Sequence, residues 1–109
     1  MKSLQELKQR CENNGFNYAY GMFKESTVPP HLVSICTDVT NFKADGVVYQ
    51  KKRAIKLDWT FINKDLNAEK IIEDIILYDL VWNKTEDTYL EDENCWQVSY
   101  FFEILEEEE

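Results

Sequence analysis

Residues 46–61 read GVVYQKKRAIKLDWTF, the longest strand signal in the chain. At a period of two, one face carries Val47, Tyr49, Lys51, Arg53, Ile55, Leu57, Trp59 and Phe61, and the other Val48, Gln50, Lys52, Ala54, Lys56, Asp58 and Thr60. From Ile55 onward the alternation is clean, which marks one buried and one wetter face. The basic run Lys51-Lys52-Arg53 interrupts the apolar face. It predicts either a bulge at those residues or an N-terminal half that projects beyond the core into solvent. The neighbouring segments read most simply as partners of this stretch, which makes it the expected central strand.

Before it, residues 2–13 have Leu4, Leu7 and Cys11 at helical spacing, with Ser3 and Glu6 in capping-box positions and Gly15 suited to a left-handed stop. Aromatic residues alternate from Phe16 to Phe23, predicting a first strand at an edge of the sheet. Pro29-Pro30 closes a loop over 24–30, and His31 to Val39 reads as a second strand. Residues 40–46 read as a turn-rich connection ending in the hairpin dipeptide Asp45-Gly46, so the second strand and the central one should be antiparallel neighbours.

After it, Asp65 or Asn67 can cap a helix over 66–78, in which Ala68, Ile71, Ile72, Ile75 and Ile76 form one apolar stripe. Residues 80–93 are a weak, acidic strand candidate. Residues 95–105 are a strong one, with Trp96, Val98, Tyr100, Phe102 and Ile104 on one face. These elements predict an α+β fold: an antiparallel sheet of four to five strands covered by one long helix, 66–78, with an N-terminal helix packed nearby. Residues 1–105 should form a single domain. The acidic run Glu106 to Glu109 should fray and remain disordered, since its charges repel.

At 109 residues with 44% hydrophobic and 14% aromatic content, the chain suits one folded domain rather than a disordered acidic segment. No run of about 18 apolar residues occurs, and the first residues lack the apolar core of a signal peptide, so the chain is expected in the cytosol, away from membranes. Cys11, Cys36 and Cys95 are odd in number and lack CxxC spacing. They read as reduced structural thiols rather than a disulfide framework or a zinc site.

Net charge is −9, unevenly spread: residues 1–54 hold eight Lys/Arg against five Asp/Glu, and residues 55–109 hold four against sixteen. So acidic a chain is a poor binder of nucleic acid, which needs clustered cations. It suits a dipolar subunit whose basic surface meets an acidic surface of the next copy.

His31 is the single histidine and has no metal-ligand partner at a recognisable spacing, and there is no GxSxG, GxGxxG or P-loop motif. Neither catalysis, a cofactor nor a metal is therefore expected. Fifteen aromatic residues are more than one helix can cover, which points to interfaces rich in Tyr and Trp. The candidate interface residues are Lys51, Lys52, Arg53, Trp59 and Trp82.

The order of helix, GFNYAYGMF, PPHLV, NFKADGVVY, IKLDWTFINKDLNAEKIIEDI and a late aromatic strand resembles a family of small proteins of tailed phages and prophages of Gram-positive bacteria. The double proline, the N-F-x-A-D-x-x-V-Y turn and the K-D-L at the helix start carry most of the resemblance, which spans about residues 1–105. The Glu106–Glu109 run has no counterpart in it. Such proteins are similar in size and class to tail completion, tail terminator and head–tail joining proteins of long non-contractile tails.

The resemblance implies self-association into a ring, commonly a hexamer, that docks on the tail tube and on connector proteins. It would assemble in the host cytoplasm and remain at the head–tail junction of the virion. It supplies no catalytic residues. Two other classes stay open, an acidic DNA mimic that occupies a basic groove of another protein and a small cytosolic enzyme. Salt-sensitive displacement from a target would mark the first, and a deep pocket with perturbed polar groups the second.

Overall fold

The computed structural model describes residues 1–44 and 47–107. In order, the elements are α1 (Leu4–Asn13), β1 (Tyr18–Tyr20), β2 (His31–Ala44), β3 (Val47–Phe61), α2 (Leu66–Ile71) running into a π-helical turn (Ile72–Ile76), β4 (Asn83–Lys84), β5 (Thr88–Leu90) and β6 (Cys95–Glu107). The sheet order is β1-β2-β3-β6-β4, with β5 also paired to β6. β3 is thus central, as its alternation predicts.

The predicted α+β architecture, an antiparallel sheet of four to five strands under one long helix, is corrected by this topology. The described residues are mostly strand, in a six-stranded mixed sheet with two short helices. Two local causes account for the difference. β1 pairs parallel to β2, Tyr18 opposite Leu32 and Tyr20 opposite Ser34, because the connection over residues 21–30 carries the chain back before β2 begins. The segment expected as a helix over 66–78 keeps α-helical geometry only to Ile71. Then the Leu77 N–H reaches the Ile72 carbonyl at 2.9 Å, a bond across five residues that widens the turn.

The wider turn redistributes the predicted isoleucine stripe. Ala68, Ile72 and Ile76 face the core, whereas Ile75 is 51% exposed. In an uninterrupted α-helix Ile75 would lie about 60° around the axis from Ile72, still on the core side.

The ends of both helices match their sequence signals. Ser3 Oγ accepts from the Glu6 N–H at 3.1 Å, and Asp65 Oδ1 accepts from the Ala68 N–H at 3.1 Å. Gly15 takes φ +82°, the left-handed conformation that closes α1. The end of the π-helical turn is held by Arg10, which donates to the Ile76 carbonyl at 2.9 Å and to Asp79 at 2.7 Å.

All the helical cover lies on one face of the sheet. Ile55, Leu57, Trp59 and Phe61 of β3, with Val98, Tyr100, Phe102 and Ile104 of β6, pack against Leu7 and Cys11 of α1 and against Ile72, Ile76 and Leu77. The opposite face is more polar at its centre, where Ser99 Oγ donates to Asp58 at 2.6 Å and Lys56 lies 3.9 Å from the same carboxylate.

β3 has fifteen residues, which at about 3.3 Å each span nearly the whole 52 Å length of the molecule. β2 runs through Thr40 to Ala44, residues whose composition predicts a loop. Asp45 and Gly46, the predicted hairpin dipeptide, lie outside the described residues. The register shifts of the β2–β3 pair fall between Cys36 and Asp38 and between Phe42 and Lys43. They flank the basic triplet, which pairs in regular register with Val39, Thr40 and Asn41. β6 continues to Glu107, so the first two residues of the acidic run are strand. Glu108 and Glu109 lie outside the described residues.

Candidate functional site

The helices cover the sheet where β1, β4 and β5 flank it, and beyond them the sheet narrows to the three long strands. β1 pairs with β2 only at Leu32–Ser34, while β5 and β4 pair with β6 at Cys95–Gln97 and Tyr100–Phe101. Among the described residues, no strand covers the outer edge of β2 from Ile35 onward or that of β6 from Phe102 onward. Such open edges are rows of unsatisfied backbone groups that can accept another strand. Near its start the β2 edge is partly capped: the Cys36 N–H donates to the Tyr20 hydroxyl at 3.2 Å and the Val39 N–H to Asp38 at 2.9 Å. Exposed apolar side chains, Val39 on β2 and Phe101 and Leu105 on β6, accompany these edges.

The candidate interface residues fall in three different environments. The basic triplet lies in this ribbon, alongside acids of the same chain. Arg53 Nε donates to Glu106 at 2.9 Å, Lys52 Nζ lies 3.2 Å from Glu103, and Lys51 stands opposite Glu106 in the β3–β6 register. Part of the charge contrast between the two halves of the sequence is therefore met inside the protomer, across adjacent strands.

Trp59 is 2% exposed, edge-on to Phe16 at 5.3 Å and stacked beside Phe61 at 6.3 Å. It belongs to the core and presents no surface to a partner. Its place between Leu57 and Phe61 on the apolar face is the sequence signal for that burial. Trp82 is half-buried, edge-on to the ring of Tyr100 at 5.5 Å.

A charged cluster that the sequence reading missed joins α2 to β4. Lys84 donates to Glu69 and, at 2.8 Å, to Glu73, whose Oε2 also accepts from the buried Tyr100 hydroxyl at 2.7 Å. Lys64 lies 2.7 Å from the other Glu69 oxygen and 3.0 Å from Asp87. Burial works against the charge on Glu69, but bonds from Lys64 and Lys84 outweigh it and hold the carboxyl below its ordinary value. Burial, and then the bond to Glu73, pushes the Tyr100 hydroxyl well above the usual phenol range. Opposite charges here satisfy one another, so the cluster fastens β4 to the helix. Glu69 and Glu73 are four residues apart, each next to a buried residue of the helix, Ala68 and Ile72, the one sequence signal that could have revealed it.

The fold also brings together His31 and Cys95, far apart in sequence, around a cleft of about 580 Å³ that Phe23, Pro29 and Glu93 help to line. The His31 ring packs edge-on to Phe23 at 5.1 Å, and its Nδ1 is buried without a hydrogen-bond partner. Burial lowers its pKa, so the imidazole is neutral at pH 7. Cys95 is 1% exposed, and burial, together with Glu93, pushes its thiol up. A protonated thiol beside a carboxylate is a weak nucleophile. Among the described residues, no group of three His, Cys, Asp or Glu side chains is arranged to hold a metal ion.

Burial likewise raises the Cys11 thiol to about 12. In native protein at pH 8, a maleimide should label the half-buried Cys36 at least about tenfold faster than Cys11 or Cys95, both of which should react freely once the protein is unfolded. Peptide mass mapping after timed quenching checks this order. Faster labelling of Cys11 than of Cys36 would contradict the packing described.

Compared with known proteins, the chain matches no protein-family model, and no curated protein matches it in sequence.

Proposed function

We propose that this chain acts by association rather than by chemistry, as a subunit that closes into a ring at the head–tail junction of a tailed phage. The observation that carries the association is the ribbon of β2, β3 and β6, which extends past the helices with open edges on opposite sides. The phage context comes from the resemblance of the sequence to tail completion and head–tail joining proteins.

β2 and β6 both run antiparallel to β3, so they point the same way. When β6 of one copy meets β2 of the next, the added pairing is parallel and both subunits keep the same strand direction. The two edges differ, which makes the contact heterologous, and a heterologous contact closes into a ring when its rotation permits. The basic triplet contributes by tying β3 to β6 within each subunit, through Arg53 with Glu106 and Lys52 with Glu103.

The test is made in the phage or prophage that carries the reading frame. Its deletion should leave filled heads together with unattached or overlong tails, seen by negative-stain microscopy of the lysate. Virions of normal form and number from the deletion would sink the proposal.

A further inference from the structure

The π-helical turn has an effect on the surface opposite the core. By widening the helix it brings Ile75 into line with Ile71, and these two residues with Asn67, Lys70 and Asp74 line a shallow, mostly apolar groove of about 380 Å³ on the outer side of the helix. Leu66 and Tyr78, at the two ends of the same helical segment, are largely exposed as well. Turns of this kind cost hydrogen-bond geometry and recur where function requires them. Here the turn turns outward an isoleucine that an uninterrupted helix would bury.

We infer that this helix face is a two-fold contact between two copies of the chain, independent of the ribbon edges and of the head–tail reading. The pattern of residues is self-complementary. An antiparallel pair of helices related by a two-fold axis near Ile72 and Glu73 sets Ile71 of one copy against Ile75 of the other. It likewise sets Lys70 against Asp74. Each contact occurs twice, as an isologous interface requires. Among the described residues neither Lys70 nor Asp74 forms an ion pair within its own chain, so both charges are available across the axis. The patch is much smaller than the roughly 800 Å² per partner of a stable complex, so the dimer is weak, with a dissociation constant in roughly the high-micromolar range.

Sedimentation equilibrium of the whole chain at low salt, from about 10 µM to about 1 mM, tests this directly. The wild-type chain should fit a monomer–dimer equilibrium. Ile75→Ser should raise the dissociation constant at least about tenfold, while the half-exposed side chain limits the fall in the thermal melt to about 5 °C. Lys70→Asp alone sets acid against acid across the axis and Asp74→Lys sets base against base, so each should weaken the dimer by about tenfold. The double variant Lys70→Asp/Asp74→Lys should restore it to within about threefold of wild type.

A wild-type chain that stays monomeric throughout, or a dimer that Ile75→Ser leaves intact, overturns the inference. Failure of the double reversal to restore what the single reversals lose overturns the two-fold pairing. A larger assembly indifferent to all these changes also overturns it, while leaving the head–tail proposal standing.

Discussion

Trp59→Ala should destabilise the folded chain by about 3–5 kcal/mol, the cost of emptying a large aromatic site in a packed core. Trp59 is enclosed by Phe16 and Phe61 and lies beneath the helical layer, so neighbours on three sides lose contacts together. Urea unfolding followed by circular dichroism measures the loss as a lower midpoint with an unchanged slope. An interface role would give the opposite pattern: stability of the isolated subunit within about 0.5 kcal/mol of wild type and weakened association. That pattern would show that the indole is not enclosed as described.

Glu69→Gln is the second large effect. It removes the charge on which Lys64 and Lys84 both converge, and a loss of about 2–4 kcal/mol at pH 7 is expected, since two partly buried ammonium groups are left undercompensated. The effect should depend on pH. The Glu69 carboxyl titrates lower in the folded chain than in the unfolded one, and so does Asp79, which is held down by the Arg10 guanidinium and the N-terminal ammonium. The stability from these two groups is therefore complete at neutral pH. It begins to fall as the pH enters the ordinary carboxylate range, near about 4, and is gone below their folded pKa values. Thermal melts at a series of pH values should show wild type and Glu69→Gln well separated at pH 7 and converging as the pH drops toward about 2. A gap that stays constant across that range would mean that the substitution acts by packing and not by charge.

Burial and pairing of the long strands were legible where chemistry and period agreed. From Ile55 to Phe61 every second residue is apolar, and that face is the core; the same holds from Val98 to Ile104. The caps at Ser3 and Asp65 were legible because a side-chain acceptor there meets a specific backbone donor.

Other features depend on contacts distant in sequence. Isoleucines at 71, 72, 75 and 76 fit an α-helical stripe and a π-helical turn equally well, so the sequence carried no sign that Ile75 would turn outward. The parallel pairing of β1 involves three residues and is set by the path of the 21–30 connection. Thr40 to Ala44 lack strand composition and are drawn into β2 by the register with β3. Of the interface candidates, Trp59 is enclosed in the core, as its place in the alternation from Ile55 to Phe61 implies. The basic triplet lies in the long ribbon, and its acidic neighbours on β6 are some fifty residues away in sequence, as in the Arg53–Glu106 pair.

The order of the strands bears on how the chain is made. β6 follows all other strands in the sequence, yet it lies between β3 on one side and β4 and β5 on the other. While a ribosome is still synthesising residues 95–107, the β2–β3 hairpin can form, but the inner edge of β3 is open and β4 and β5 have nothing to pair with. Half of the core face, Val98 to Ile104, is missing as well. A nascent chain stopped before Cys95 is thus a pair of long, sticky strands and not a smaller version of the protein, and such intermediates are prone to aggregate. Shortening the chain by even this one strand removes the middle of the sheet, so a premature stop codon near residue 95 should yield insoluble or degraded product rather than a functional fragment.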